Sequence, residues 1–393
     1  MVKKRLLFLT PRFPYPTRSG GKLALINVAK ALQDYRLTLL SLCGTREDME
    51  YEPNDGLFAE VHKVYHPKLT SYWNVLSSLP GRRPLQLAYY QSNAFRRKVE
   101  ELLPQHDAVL AHLIRAGQYV AGSDHIIPSM LLMSDAISLA YQRLANLPGT
   151  SLLWRFLSRV ELNRVSHYER ACPENFDLVW LHSDVDRRFL ELEQKSVRVF
   201  PLGVDLEEFP FNPAPSGNVV AFVGDMSFSL NIDACRHFIQ DILPALKARA
   251  GIRLRVIGTC PQSVRRELEK HAGVEVTGVV RRIADAVDGV FCGVCPVRAG
   301  AGIQSKILNY LALGISCVTS EVGLEGLNAV DGRDLLVYKK PEDAVDLIMK
   351  LYGDSFFRNT MATNGRKYVE KAHNWKMIHR CIREDVSELL DVK

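Results

Sequence analysis

Short apolar runs alternate with longer amphipathic stretches along most of the chain. The runs 219–223 and 290–295 are apolar throughout, as strands buried on both faces of a parallel sheet are. Residues 5–10 form a similar run, and 22–32 has the apolar period of a helix. This alternation predicts an α/β protein built on doubly wound parallel sheets.

A segment rich in proline and glycine divides the pattern into two halves. It spans residues 201–217 and reads PLGVDLEEFPFNPAPSG, which is typical of a linker. We therefore predict an N-terminal Rossmann-like domain over 1–200 and a second Rossmann-like domain over 218–374. Because ligands bind beyond the carboxyl ends of parallel strands, the two domains are expected to face a cleft.

The segment 290–327 carries the strongest indication of a ligand site. A buried strand leads through Arg298 and a run of small residues into a helical pattern and a second strand. Free N–H groups and the positive dipole end of a helix N-terminus favour an anion. A diphosphate is therefore expected at the predicted helix start, against the amides of Ala301, Gly302 and Ile303.

Two cations accompany this predicted helix start. Arg298 and Lys306 are expected to neutralise the diphosphate and to stabilise it as a leaving group. Gly302, Lys306 and Asn309 recur at i, i+4 and i+7, which places them on one stripe of a helix.

The order of these parts resembles the C-terminal, nucleotide-sugar half of the GT-B glycosyltransferases of family 4. The matching residues are Pro296-Val-Arg, Gly302-Ile-Gln-Ser-Lys and the stretch 307–314. The nearest resemblance is to a bacterial subgroup associated with exopolysaccharide and exosortase systems. The family usually has two glutamates with seven residues between them, where this chain has Ala301 and Asn309.

The resemblance implies further donor-site residues. Gly224 lies in the run FVGDMSFSLNIDA, which is similar to a run of the subgroup, and Gly278 and Val279 correspond to a segment that borders the base. Gly20 and Gly21, in the loop after the first strand, are expected to approach the donor phosphate or sugar. The C-terminal helix, 375–393, is expected to cross back to the first domain, as in such folds.

Two polar residues of the first half follow predicted strands. His112 and Asp135 are expected to orient the sugar or the acceptor, although single polar residues at loop starts are commonly caps. The Asp184-Val-Asp186 sequence matches a metal-binding DxD signature, but its position after an apolar run favours an acidic helix start. Cys292 and Cys295 form a CxxC spacing that is better explained as core strand.

Composition narrows the class of partner. The chain has 393 residues, 47% apolar content and a net charge of +6, which is too weak to indicate nucleic-acid binding. Its eight scattered cysteines indicate reduced thiols in the cytoplasm.

No run reaches the roughly 18 apolar residues of a spanning helix, so membrane contact is expected to be peripheral. Residues 67–104 mix aromatic and basic residues, which fits either a membrane-facing or acceptor edge or ordinary helices with solvated arginines.

The chemistry expected from these features is glycosyl transfer. The sequence has no assignable glycosidase carboxylate pair, serine elbow or metal cluster, and no GxGxxG follows the first strand. The resemblance implies a retaining, metal-independent enzyme without a cofactor. It would move a sugar from UDP- or GDP-sugar to a glycan or lipid-linked glycan, at the inner face of the membrane in bacterial polysaccharide synthesis. A catalytically weak sugar-nucleotide binding subunit and a GT-B nucleotide-sugar epimerase are the alternatives.

Overall fold

The chain folds into two compact units, each built on its own parallel sheet. In the computed structural model, residues 3–16, 20–122, 127–147, 152–213 and 217–392 are described. One unit comprises Met1–Phe200 with Lys376–Lys393, and the other comprises Pro201–Trp375. We call them unit 1 and unit 2.

Unit 1 contains a sheet of seven parallel strands in the order β3-β2-β1-β4-β5-β6-β7. The central strands are buried along their length, because their leucine-rich sequences are covered by helices. The strands are β1 (Arg5–Thr10), β2 (Arg36–Cys43), β3 (Glu60–Tyr65), β4 (Ala108–His112), β5 (Ser129–Ser134), β6 (Leu178–Leu181) and β7 (Val197–Val199).

The helices of unit 1 connect these strands, and the last one comes from the C-terminus. They are α1 (Gly20–Ala31), α2 (Arg46–Glu50), α3 (Lys68–Ser78), α4 (Leu85–Tyr89), α5 (Asn93–Leu102), α6 (Leu113–Gly117), α7 (Ile137–Asn146), α8 (Leu152–Arg170), α9 (Cys172–Asn175), α10 (Asp184–Phe189) and α18 (Trp375–Val392). In α18, Asp385 accepts a 2.8 Å hydrogen bond from Trp180 Nε1 of β6. The carbonyl of Leu390 accepts a 3.0 Å bond from Lys4 Nζ, so this helix packs on the sheet of unit 1.

Unit 2 contains six parallel strands in the order β10-β9-β8-β11-β12-β13. The strands are β8 (Val219–Val223), β9 (Arg253–Ile257), β10 (Val274–Gly278), β11 (Val290–Cys295), β12 (Ser316–Ser320) and β13 (Leu336–Tyr338). The helices are α11 (Ser229–His237), α12 (Leu243–Ala250), α13 (Gln262–Leu268), α14 (Ser305–Leu313), α15 (Glu321–Leu324), α16 (Pro341–Gly353) and α17 (Ser355–Ala372), with a π-helical turn joining α11 to α12.

The two parallel sheets confirm the α/β class predicted from the apolar pattern. Asp184 begins α10 after the capping residue Ser183, whose hydroxyl accepts the Val185 N–H at 3.0 Å, so the acidic helix start is confirmed. Cys292 and Cys295 are buried free thiols of β11, as the core-strand interpretation predicted. No helix within the described residues is long and apolar enough to cross a membrane.

Candidate functional site

The loop between β11 and α14 differs from the prediction at its helix start. The helix begins at Ser305, so Ala301, Gly302 and Ile303 lie in the loop and not in the first turn. Gly302 has a φ of +69°, a left-handed conformation that interrupts a helix. The prediction that Gly302 shares a helical stripe with Lys306 and Asn309 is therefore wrong.

Lys306 lies in the first turn of α14 and is buried. Its ammonium donates to Asn231 Oδ1 at 3.1 Å and to Gln304 Oε1 at 3.2 Å, and it lies 5.1 Å from the centre of the Phe222 ring. These partners are neutral, and no carboxylate of the described residues is among its hydrogen-bond or electrostatic partners. Burial accordingly lowers the pKa of Lys306. An anion at this position would supply the charge that the partners lack.

Arg298 is held by an acidic side chain of α11. Its guanidinium forms a two-bond ion pair with Asp233, with nitrogen to oxygen distances of 2.5 and 3.1 Å. Both side chains are partly exposed. The pair fixes the guanidinium beside the β11–α14 loop, but part of its charge is already balanced before a ligand binds.

Asn231 and Asp233 are functional neighbours that the sequence analysis did not single out. Both lie in the FVGDMSFSLNIDA run, two residues apart on α11, and they hold Lys306 and Arg298 respectively. Asn231 Nδ2 also donates to the Asp225 carbonyl at 2.9 Å. The run thus ties the turn after β8 to both cations. Its resemblance to a run of the subgroup was the feature of the sequence that could have identified Asn231 and Asp233.

The predicted donor-site glycines lie at the carboxyl edge of the same sheet. A Cβ on Gly224 would lie 3.2 Å from Asn231 Cγ, and one on Gly258 would lie 2.2 Å from the Gly224 carbonyl oxygen. Gly258 in turn donates its N–H to the Gly278 carbonyl at 3.1 Å. These contacts bring the turns after β8, β9 and β10 together, and Val279 beside them is exposed. Gly258 was not predicted, since one glycine after a strand is an ordinary turn signal.

Asn309 lies one turn beyond Lys306 on α14, at the i+3 position, where the two side chains are neighbours on the helix surface. It is half-buried, whereas most of the helix is buried. Tyr310 anchors this helix: its hydroxyl accepts the Val223 N–H at 2.7 Å and donates to the Ala221 carbonyl at 3.1 Å. The position of Lys306 and Asn309 therefore depends on how Tyr310 packs.

In unit 1, the predicted glycine loop is only partly described. Helix α1 begins at Gly20, and a Cβ on Gly21 would meet nothing within 4 Å. Residues 17–19 of the predicted loop lie outside the described residues.

The predicted His112 ends β4 and is buried with neither ring nitrogen hydrogen-bonded within the described part of the chain. Burial, with neighbouring His182 and Arg115, lowers the pKa of His112 to about 3. The imidazole is therefore neutral at pH 7 and offers one donor and one acceptor. Leu113, the next residue, has a φ of +63°, a strained conformation for a residue with a branched side chain.

Asp135 follows β5 in a similar setting. Ser134 before it has a φ of +71°, and burial with the neighbouring Asp186 and Glu169 carboxylates raises the pKa of Asp135. Asp186 accepts the Ala136 N–H at 3.1 Å, and Glu169 accepts the Ile137 N–H at 2.7 Å. Crowded carboxylates cannot all ionise, which favours a protonated Asp135.

His182, directly after β6, was missed by the sequence analysis. It is buried, its Nδ1 lies 3.2 Å from the Phe200 carbonyl, and its Nε2 has no hydrogen-bond partner among the described residues. Since β4, β5 and β6 are neighbours in the sheet, His112, Asp135 and His182 lie at one edge. Nothing in the sequence distinguishes His182 from a capping residue before α10.

Part of the chain matches a known protein family. Residues 217–354 match the family described as "Glycosyl transferases group 1". This match covers the β11–α14 loop and every cation and glycine of the unit 2 site. No curated protein sequence matches the chain.

Solved structures match over nearly the whole chain. A sucrose-phosphate synthase from Thermosynechococcus elongatus has a TM-score of 0.76 at 14% identity, with both chains covered completely. HepE from Anabaena, in complex with UDP or UDP-glucose, has a TM-score of 0.69 at 15% identity and covers 98% of this chain and 100% of its own. TarM of S. aureus has a TM-score of 0.69 at 8% identity, with 98% of each chain covered.

The fold is that of the GT-B glycosyltransferases. The resemblance in the loop and α14 thus extends to the architecture of both sheets. At identities of 8 to 15%, these similarities establish the fold alone.

Proposed function

We propose that the protein is a glycosyltransferase that uses a nucleotide sugar as donor. The observation that carries this proposal is the buried ammonium of Lys306 at the start of α14, whose partners among the described residues are all neutral. A buried cation without a counter-charge is costly unless a ligand supplies one, and a diphosphate is an anion of the required charge. The match of residues 217–354 to glycosyl transferases group 1 supports the same assignment.

The donor is proposed to be a UDP-sugar, with GDP-sugar as the alternative base. HepE, which shares the fold, has been solved with UDP and with UDP-glucose. In this chain the diphosphate would lie beside Lys306 and the backbone of the half-buried loop residues Ala301, Gly302 and Ile303. Asn309 would bind a ribose hydroxyl, and the backbone around Gly278 and Val279 would border the base.

Transfer needs one bond to break and one to form. The bond between the anomeric carbon and the diphosphate oxygen breaks, and the acceptor oxygen bonds to the same face of that carbon, which retains its configuration. The hydroxyl proton leaves with the diphosphate. Lys306, Arg298 and the first amides of α14 stabilise the charge on the departing group, so electrostatics is the main catalytic contribution and no metal is required.

We assign the unit 1 edge to hydroxyl recognition. A neutral His112 can both donate to and accept from a hydroxyl, and a protonated Asp135 can donate. The acceptor class is a glycan or a lipid-linked glycan, in the synthesis of a bacterial surface polysaccharide at the inner face of the membrane. The motif resemblance to the exopolysaccharide subgroup supports this setting.

The test is release of nucleoside diphosphate that depends on an acceptor. Purified protein is mixed with UDP-glucose or GDP-mannose and a panel of alkyl glycosides, with and without a chelator. We expect release only with an acceptor, unchanged by chelation and lost in Lys306→Met. A sugar epimerised on its nucleotide would identify an epimerase, and nucleotide binding without release on any acceptor would support the binding-subunit alternative.

A further inference from the structure

Helix α3 of unit 1 has its apolar and polar faces reversed relative to an ordinary surface helix. Leu69, Tyr72, Trp73 and Leu76 recur at i, i+3, i+4 and i+7, and their exposed fractions are 75, 57, 72 and 56%. The opposite face is mostly polar and packed inward, and its one apolar residue, Val75, is half-buried. Ser71 is buried, and Asn74 Nδ2 donates to the Gln91 carbonyl at 2.9 Å. The fold thus holds an apolar helical stripe toward the outside.

A second exposed apolar group lies on a helix that touches the end of α3. Leu152, Leu153 and Phe156, at the start of α8, are exposed by 81, 65 and 64%. Further along α8, Arg164 donates to the carbonyl of Leu79, directly after α3, at 2.7 Å. At 1.5 Å of rise per residue, Phe156 lies about 12 Å along α8 from this contact. We call the exposed apolar residues of α3 and of the start of α8 the apolar face.

The chain around the apolar face is basic. Residues 61–99 contain seven lysines and arginines and no aspartate or glutamate, and 136–160 contain three arginines and no acid. Lys68, Arg82 and Arg159 among them are exposed. Aromatic and leucine side chains flanked by long basic ones are typical of surfaces that lie in the headgroup zone of an anionic bilayer.

We propose that the apolar face docks unit 1 onto an anionic lipid bilayer, with Leu69, Trp73 and Phe156 inserted and Lys68 and Arg82 at the headgroups. A second copy of the chain fits less well, because an isologous contact would bring two copies of the same basic segment together. An acidic protein would match the charge, but a membrane matches both the charge and the exposed tryptophan and tyrosine of α3.

Vesicle binding tests the docking surface independently of glycosyl transfer. The full chain is sedimented with vesicles of phosphatidylcholine alone or with 30% phosphatidylglycerol. We expect binding to the anionic vesicles that weakens in high salt. The double variant Leu69→Ser/Trp73→Ser should bind at least about tenfold more weakly, since interfacial binding scales with the apolar area buried. The variant Lys68→Glu/Arg82→Glu should lose about as much, through charge.

Matched controls lie on unit 2. Phe356 is exposed by 81%, so Phe356→Ser removes a comparable exposed side chain, and Lys371→Glu reverses an exposed charge. Both should bind vesicles like the parent, and all variants should bind UDP like the parent. The proposal would be overturned if Leu69→Ser/Trp73→Ser bound the anionic vesicles as tightly as the parent does. It would also be overturned if the parent bound no vesicles and instead formed a dimer that this variant abolishes. That result would assign the apolar face to a second copy of the chain.

Discussion

Lys306 carries a buried charge that is unfavourable for stability and that we propose is required for nucleotide binding. Its ammonium is buried beside an amide oxygen of Asn231, another of Gln304 and an aromatic ring, none of which carries a full negative charge. Desolvation disfavours the charged form, which is why the pKa of Lys306 is lowered. Removing the charge should therefore affect stability far less than it affects nucleotide binding.

Asn309 tests the ribose contact. Its amide can accept one hydrogen bond and donate another, so Asn309→Ala should weaken UDP binding by about 1 kcal/mol or more. Asn309→Glu should keep or improve the affinity, because a carboxylate acceptor is stronger than a neutral one. Calorimetric titration with UDP measures both.

Asn364 provides the control for Asn309. It is a half-buried asparagine of α17 outside the proposed site, so Asn364→Ala should change UDP affinity by less than about 0.5 kcal/mol. If Asn309→Ala binds UDP as tightly as the parent, Asn309 only packs on its helix face and the ribose is held elsewhere.

At the scale of the element, a close contact with β11 helps to position α14. A Cβ on Gly293 would lie 2.4 Å from the Tyr310 ring, so only glycine lets the ring approach the strand this closely. The Tyr310 hydroxyl then reaches the backbone of β8. This contact fixes the helix whose first turn carries Lys306.

Gly293→Ala should therefore displace Tyr310 and α14. We expect a loss of about 1–3 kcal/mol in the free energy of unfolding, as for other over-packed cores, together with weaker UDP binding. Denaturant unfolding and calorimetry measure the two effects.

Gly353 at the end of α16 is the matched control, because a Cβ there meets nothing within 4 Å. Gly353→Ala should change stability by less than about 0.5 kcal/mol. If Gly293→Ala were as stable as the parent, β11 and α14 could move apart without a loss of unfolding free energy. The contact would then not determine the position of Lys306.

Local pattern was enough to predict individual elements but not all of their ends. The strands Val219–Val223 and Val290–Cys295 have the predicted bounds, since an apolar run of strand length between turn residues leaves little choice. The start of α14 was misplaced because small residues suit both a helix and a loop. The left-handed Gly302 decides between them, and its φ is a backbone property that no periodicity reveals.

At the scale of the whole molecule, alternation along the chain predicted two parallel sheets, and long-range contacts supplied the rest. The ion pair of Arg298 with Asp233 joins residues 65 apart in sequence. The position of the buried His182 near His112 and Asp135 follows only from the order of β4, β5 and β6 in the sheet. The outward apolar stripe of α3 has the same period as an inward one, so the sequence could not distinguish its orientation.

The central claim is that unit 2 binds a nucleoside diphosphate through the buried charge of Lys306. Lys63 is a suitable control, since its mostly buried ammonium already pairs with Glu52 at 2.9 Å in unit 1. The decisive measurement is calorimetric titration of the parent, Lys306→Met and Lys63→Met with UDP and GDP. We expect Lys306→Met to lose about 1.5–3 kcal/mol of binding free energy for the preferred nucleotide while Lys63→Met binds like the parent. Equal affinity in all three proteins, or no binding of either nucleotide to the parent, would contradict the claim.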